Sequence, residues 1–168
     1  MDEVLRDVLT PGLRVVFCGT APGSASAKAR AYYAGPGNAF WKALHQTGLT
    51  PVELAPAEFT RLPEFGIGLT DICKVLYGSD EEVGTVEFDV DGLRGRVAAV
   101  EPAYLAFNGK SAARGALERA VEFGPQEEQI GGAAVWVLPS TSGAARRYWD
   151  IEPWQQLAEA CAEIPEPS

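Results

Sequence analysis

Leu13-Arg14-Val15-Val16-Phe17-Cys18-Gly19-Thr20-Ala21-Pro22-Gly23-Ser24 is the stretch on which the fold turns. Its first half is a β-branched, apolar run between Gly12 and Gly19, the signature of a buried strand. Its second half is built of turn formers, so the chain leaves that strand through a tight loop. Two later runs have the same character: Tyr104-Leu-Ala-Phe107, which ends at Asn108-Gly109, and Ala133-Ala-Val-Trp-Val-Leu138, which ends at Pro139. A strand that is apolar at every position has to be covered on both faces. Phe65-Gly-Ile-Gly-Leu69 alternates apolar with small residues and leads into Thr70-Asp71 as a further strand or extended segment.

Between these runs the periodicity turns helical. Residues 39–47 place Phe40, Trp41 and Leu44 on one face, with Asn38 as cap and Gly48 just past the end. Helices are also expected over residues 91–101, stopping before Pro102, and over 110–121. A last one is expected over 152–163, with Asp150 as cap and Pro153 tolerated in the first turn. Residues 77–90 are polar, acidic and expected as loop, and residues 163–168 as a frayed tail. Strands alternating with helices give an α/β fold, a three-layer α-β-α sandwich around a short, mostly parallel central sheet. A length of 168 residues fits one such domain. In this architecture ligands sit outside the carboxyl ends of the strands. Chemistry is therefore sought in residues 19–24, 70–74, 108–111 and 139–147.

Composition removes several classes. No apolar run approaches the roughly 20 residues that span a bilayer. Met1-Asp2-Glu3 lacks the basic-then-apolar order of a signal peptide, so a cytoplasmic protein is expected. Three cysteines, with no C-x-x-C, and a single histidine, His45, argue against a disulfide framework, a zinc knuckle and most zinc enzymes. His45 falls within a predicted helix, where a packed or surface histidine is the simpler reading. The net charge of −9 opposes nucleic-acid binding when averaged over the molecule. Yet acids cluster at Glu81-Glu82, Glu127-Glu128 and the tail, and bases at Lys28/Arg30 and Arg146-Arg147, so an acidic body can still present one basic face.

The loops each carry two readings. Asn108-Gly109-Lys110-Ser111 ends like a Walker A loop, but the first glycine of that motif would fall at Tyr104, inside a strand, which rejects a P-loop. What remains is a plain helix start or a helix N-terminus holding one phosphate. No G-x-S-x-G and no G-x-G-x-x-G is present, so neither an α/β-hydrolase elbow nor a dinucleotide loop is supported. The loop from Gly19 to Ser24 can point backbone N–H groups at an anionic oxygen. Tyr32-Tyr33 is either a core aromatic pair or a stacking face for a base. Pro139-Ser-Thr-Ser-Gly-Ala-Ala-Arg-Arg147 is either a solvated loop or one that enters a DNA groove while its arginines bind phosphates.

Taken together, Leu13 to Ser24, Gly37-Asn-Ala-Phe-Trp-Lys42 and Val137-Leu-Pro-Ser-Thr-Ser-Gly-Ala-Ala-Arg146 strongly resemble the mismatch-specific uracil-DNA glycosylases, bacterial relatives of thymine-DNA glycosylase. Phe65-Gly-Ile-Gly-Leu-Thr70 is similar to that family's second strand, and the likeness runs from about residue 4 to 160 in matching order. The resemblance implies the uracil-DNA glycosylase fold acting on uracil-containing double-stranded DNA; nothing in the sequence signals oligomerisation or a membrane partner, so a monomer is expected. The resemblance also implies removal of uracil opposite guanine, leaving free uracil and an abasic site, with neither metal nor organic cofactor. By the same resemblance Tyr33 stacks on the flipped uracil, and backbone N–H groups near Thr20 and Ala21 bind its oxygens. Gly143, Ala144 and Ala145 enter the helix, Ser142 belongs to the same DNA-binding turn, and Arg146, Lys110 and Ser111 hold phosphates.

Two departures from the family pattern matter. The family's first motif carries an Asn that positions the attacking water, and here that place is Ala21, which can neither hydrogen-bond nor move a proton. Asp71 is the expected substitute, because a carboxylate there can stabilise an oxocarbenium-like sugar and orient water. Asp80, Asp89 and Asp91 are less well placed. No lysine stands beside the sugar, so no lyase activity is expected. The second departure is Ala144, where relatives often carry a bulkier wedge, so weaker retention of the abasic product is expected. Two other function classes stand beside this one: a non-catalytic DNA-lesion binder of the same fold, favoured by Ala21, and a small nucleotide- or phosphoester-processing enzyme, resting on Gly109-Lys110-Ser111 alone.

Overall fold

Odd and even positions of the first strand, β1 (Val15–Gly19), enter different cores, and this fixes the three-layer architecture. Val15 and Phe17 pack with Phe40, Leu44, Trp154 and Leu157 on one side, and Val16 and Cys18 pack with Leu93, Val97 and Ala113 on the other. All five residues of β1 are buried, as a strand with no solvent face requires. The computed structural model describes residues 4–74 and 88–165.

In chain order β1 is followed by α1 (Ser24–Ala29), α2 (Phe40–Gln46), a 3-10 segment (Pro56–Phe65), β2 (Ile67–Asp71), α3 (Val90–Val100), β3 (Tyr104–Asn108), α4 (Lys110–Leu117), β4 (Gly124–Ile130), β5 (Ala133–Leu138), a 3-10 turn (Gly143–Tyr148) and α5 (Glu152–Ala162). The sheet has five strands in the order β2-β1-β3-β5-β4, parallel except for β4, which pairs antiparallel with β5 at one edge. This is the mostly parallel α/β sheet expected from the sequence. The chain steps from β1 to β2 on one side and then to β3 on the other. The connections therefore diverge outside the carboxyl ends of β1 and β3 and open a crevice there.

Local chemistry explains most boundaries. Asn38 Oδ1 accepts from Phe40 N–H at 3.0 Å, and Asp150 Oδ1 accepts from Glu152 N–H at 2.9 Å, so both expected caps act at the starts of α2 and α5. Asp89 caps α3 by accepting from Gly92 N–H at 2.9 Å. Gly68 has to be glycine, because a Cβ there would lie 2.6 Å from both Leu13 Cδ1 and the Val8 carbonyl.

The structure corrects the sequence reading at several places. Residues 24–29, to which the sequence reading gives no element, form a short helix. Residues 118–121 leave the expected helix, since Glu118 turns left-handed at φ 56 and Arg119 folds over to Glu128 at 2.7 Å. Strand β4 was not anticipated: Gly-Pro-Gln-Glu-Glu-Gln-Ile buries only its two end residues, as suits a polar edge strand. Glu163 and Ile164 N–H groups donate to the Ala160 and Cys161 carbonyls just past α5. Most of the acidic segment 77–90 and residues 166–168 lie outside the described residues. Among the described residues no helix is long and apolar enough to cross a membrane.

Candidate active site

Asp71 is the last residue of β2, opposite Gly19 in the register with β1. The ladder continues past the strand ends, with Ile72 N–H donating to the Gly19 carbonyl at 2.9 Å and Cys73 N–H to the Thr20 carbonyl at 2.7 Å. That continuation fixes the turn carrying the carboxyl. The side chain turns inward: Asp71 is 3% exposed, and its Oδ1 lies 3.0 Å from the point a Cβ on Gly19 would occupy. The Tyr33 hydroxyl lies 3.4 Å from the same point. Asp71 Oδ2 and the Tyr33 hydroxyl are both buried without a hydrogen-bond partner. Buried polar atoms are normally satisfied, so a buried carboxyl with one unpartnered oxygen, beside a tyrosine hydroxyl at the carboxyl edge of a parallel sheet, marks the candidate site.

Burial is the main reason the Asp71 carboxyl is pushed up to about 7; Lys74 and Arg96 pull it down, and the Asp7 carboxylate opposes them. The Tyr33 phenol and the Cys18 thiol are raised well above their ordinary values, first by burial and then by the Asp71 charge. Both are neutral near pH 7, which leaves Asp71 as the titrating group of this pocket.

Tyr33 is held at φ 53, a left-handed conformation rare outside glycine and costly by on the order of 1 kcal/mol. The surroundings enforce it. Trp41 Nε1 donates to the Tyr32 carbonyl at 3.1 Å, the Tyr32 hydroxyl donates to the Arg6 carbonyl at 3.0 Å, and Ala34 N–H donates to Ser26 Oγ at 3.0 Å. One face of the Tyr33 ring is stacked on Phe40, with centroids 4.1 Å apart and 30° between planes.

A second loop flanks the pocket. Thr141 and Asn108 are joined side by side, and Ala39 N–H donates to the Thr141 carbonyl at 2.9 Å, tying residues 139–142 to the start of α2. Trp154 Nε1 anchors the loop root by donating to the Pro139 carbonyl at 3.0 Å. Beyond Thr141 the chain is exposed: Ser142, Gly143, Ala144, Arg146, Arg147 and Tyr148 all face solvent, and Ala145 is half-buried. Ser142 Oγ accepts from Ala144 N–H at 3.2 Å, so this hydroxyl shapes the turn itself. The Arg146 guanidinium crosses Gly37, where a Cβ would lie only 2.8 Å from Nη2, and Gly37 has φ +83. The positive φ favours glycine there, and an added Cβ would displace the end of the Arg146 side chain.

The residues expected from the sequence thus divide. Asp71 and Tyr33 meet at Gly19, with the half-buried Thr20 and Ala21 next in the chain. Ser142 to Arg146 form the exposed turn whose arginine crosses the residue 35–38 loop. Lys110 is turned away, its Nζ 4.5 Å from the Phe123 ring centroid and 4.0 Å from Glu122, and Ser111 is half-buried at the start of α4. Among the other acids, Asp89 is the α3 cap and Asp91 pairs with Arg94 at 2.8 Å, while Asp80 lies outside the described residues. His45 is exposed on α2. Sequence reasoning missed Asn108 as the holder of the Thr141 loop; the signal was an amide side chain at a strand's carboxyl end, read there only as part of a phosphate-like fragment. Cys18, Cys73 and Cys161 are free and buried, and among the described residues no cluster of His, Cys, Asp and Glu is arranged to hold a metal.

Comparison with known proteins bears on this arrangement. The family model of the uracil DNA glycosylase superfamily matches residues 7–159. The solution structure of a proposed uracil DNA glycosylase from Methanosarcina acetivorans is similar, with a TM-score of 0.66 and 26% identity over 95% of this chain and 97% of the other.

Proposed function

The chain belongs to the uracil DNA glycosylase superfamily, and from that premise we propose that it is a monofunctional DNA-repair glycosylase. It flips uracil, notably from G·U mismatches, out of duplex DNA and hydrolyses the N-glycosidic bond. A base inside the duplex cannot be attacked at its sugar, so the nucleotide rotates out at a cost of a few kcal/mol, least for a weak pair such as G·U. The flipped base stacks on the face of Tyr33 opposite Phe40. Backbone N–H groups of the loop at Thr20 and Ala21 receive the uracil oxygens and stabilise the anion that departs, as an oxyanion hole does.

Breaking the C1′–N1 bond leaves the electron pair on the base and a cationic sugar. The ionised Asp71 carboxylate stabilises that cation and orients water, whose hydroxide adds to C1′ while its proton ends on uracil. Gly143, Ala144 and Ala145 fill the gap left in the stack, and Arg146 pairs with a phosphate. Lys110 and Ser111 act as phosphate contacts only if Lys110 leaves Phe123 and Glu122.

The observation that carries this reading is the buried Asp71 carboxyl with one unpartnered oxygen at the carboxyl edge of the sheet. It is tested by incubating uracil-containing duplex with the protein and cleaving with alkali. Strand breaks well above those of an Asp71→Ala control are expected. A second reading, a lesion binder that does not cleave, is favoured by Ala21 at the place where relatives position water. Binding without strand breaks above the control would select it.

A further inference from the structure

Asp71 does not stand alone in the protein's interior. The segment before β1 runs antiparallel to β2, with Val8 and Leu69 exchanging two backbone hydrogen bonds of 2.9 Å, and Val4 N–H donates to the Lys74 carbonyl at 2.8 Å. Between these two ties Asp7 reaches under the turn. Its Oδ1 accepts from Thr70 Oγ1 at 2.6 Å and from Lys74 Nζ at 2.7 Å, and its Oδ2 pairs with Arg96 Nε at 3.1 Å. Arg96 Nη2 donates to the Asp71 backbone carbonyl at 2.9 Å. Lys74 Nζ also donates to the Tyr32 hydroxyl at 3.3 Å, next to Tyr33 in the chain. The Lys74 side chain is 9% exposed, so its charge is poorly screened.

We infer that Asp7, Lys74 and Arg96 form a positioning network that holds the Asp71 turn and sets the charge of its carboxyl. This rests on the reading of Asp71 as the group that stabilises the sugar cation. The network touches Asp71 through its backbone and through the field, so its members are positioning residues. Two cations face one carboxylate, which leaves a single uncompensated positive charge beside Asp71. An ionised Asp71 neutralises it. Burial alone would hold the carboxyl protonated, and a protonated carboxyl cannot stabilise a cation; the network returns part of the ionised form near neutral pH. The remaining titratable groups facing Asp71 among the described residues are Cys18 on β1 and Tyr32 and Tyr33 on the loop before α2, all neutral at working pH because burial raises them.

This arrangement predicts opposite signs from variants of one network. Asp7→Asn keeps a partner for Thr70 but leaves two cations beside Asp71, so the acid limb of the single-turnover excision rate moves to lower pH. Lys74→Met removes a cation, so that limb moves to higher pH, and Arg96→Gln moves it the same way. Shifts of about half a pH unit or more in these directions are expected. A merely structural role would lower all rates without separating the limbs, and limbs that stay together overturn the inference. The carbon-13 carboxyl titration of Asp71 in the same folded variants gives the test without catalysis, with Asp71→Asn to identify the resonance. An Asp71→Asn protein that keeps the wild-type rate overturns the catalytic reading, whereas titrations that stay at one pH in Asp7→Asn and the two cation variants overturn the network.

Discussion

Asn108, at the end of β3, and Thr141, just beyond β5, exchange two hydrogen bonds: Asn108 Nδ2 donates to Thr141 Oγ1 at 2.9 Å, and Thr141 N–H donates to Asn108 Oδ1 at 3.0 Å. Thr141 is 2% exposed, so neither of its polar groups has water as an alternative partner. The Asn108 side chain also draws the Tyr33 phenol down, against the larger effects of burial and the Asp71 charge. One side chain therefore joins the pocket wall to the root of the exposed Gly143–Tyr148 turn.

Asn108→Ala strands the Thr141 N–H and hydroxyl in the interior, at roughly 1–3 kcal/mol for the unsatisfied groups. The expected outcome is lost hydrogen-exchange protection at Thr141 and about tenfold weaker binding of duplex DNA in fluorescence anisotropy, for a loss near 1.4 kcal/mol. Unchanged protection and affinity would remove Asn108 from the DNA-binding apparatus.

Gly19→Ala places a methyl 3.0 Å from Asp71 Oδ1 and 3.4 Å from the Tyr33 hydroxyl. Neither neighbour is the loose end of a long side chain, so the carboxyl must shift by a few tenths of an ångström. Misplacement of a reacting group is expensive, and a fall of roughly tenfold or more in the single-turnover rate is expected. Thermal denaturation and DNA affinity should change little. A variant with the wild-type rate would show that the carboxyl is not required where the structure holds it.

These two cases show why some of the site was legible in the sequence and some was not. Strands β1, β3 and β5 declare themselves because they are buried on both faces and so carry uninterrupted apolar runs. Strand β4 does not, because Gln126, Glu127, Glu128 and Gln129 lie at a sheet edge, across a shift in register with β5, and need no hydrophobic signature. Asp71 was legible because it ends a strand next to a small-residue segment. Asp7, Lys74 and Arg96 were not, since they come from three separated segments and meet only through the pairing of Val8 with Leu69 and the docking of α3. For Lys110 the sequence places a residue at a helix start but says nothing of its side chain, which lies over Phe123 and 4.0 Å from Glu122.

Burial pushes the Asp71 carboxyl up to about 7, against about 3.9 for an unperturbed aspartate. In the proposed mechanism the ionised form stabilises the sugar cation, so single-turnover excision should rise through pH 7 and level off above it. Asp71→Asn should lose roughly 100-fold or more of the rate at pH 8 and also lose the acid limb. A wild-type profile flat from pH 5 to 8 would contradict the assignment of the limb to this group.

The same group makes a stability prediction of definite sign. Folded Asp71 binds its proton more tightly than the unfolded chain does, so protonation favours the native state. The associated stability is fully present below about pH 4, is lost as pH rises through 7, and stays lost above. Asn at this position does not titrate. The stability of wild type relative to Asp71→Asn should therefore fall between pH 4.5 and 8 by on the order of 2–4 kcal/mol. Urea unfolding of both proteins across that range measures the difference directly, and parallel curves would mean that the carboxyl is not desolvated in solution.

Ala144 stands exposed on the Gly143–Tyr148 turn, its N–H held by Ser142 Oγ at 3.2 Å, so a longer side chain there meets solvent rather than protein. In the proposed complex this residue fills the gap left by the flipped base, and a methyl fills it poorly. Ala144→Leu adds three carbons of apolar surface to be buried in the stack, worth about 1–2 kcal/mol at the usual return per methylene once incomplete burial is allowed for. Abasic duplex should bind the variant roughly 5- to 30-fold more tightly, for that same free energy. Multiple-turnover excision should slow as product release becomes limiting, while the single-turnover rate stays close to wild type. A variant that releases abasic DNA as fast as the wild type would place Ala144 outside the helix and assign the gap to the neighbouring Ala145.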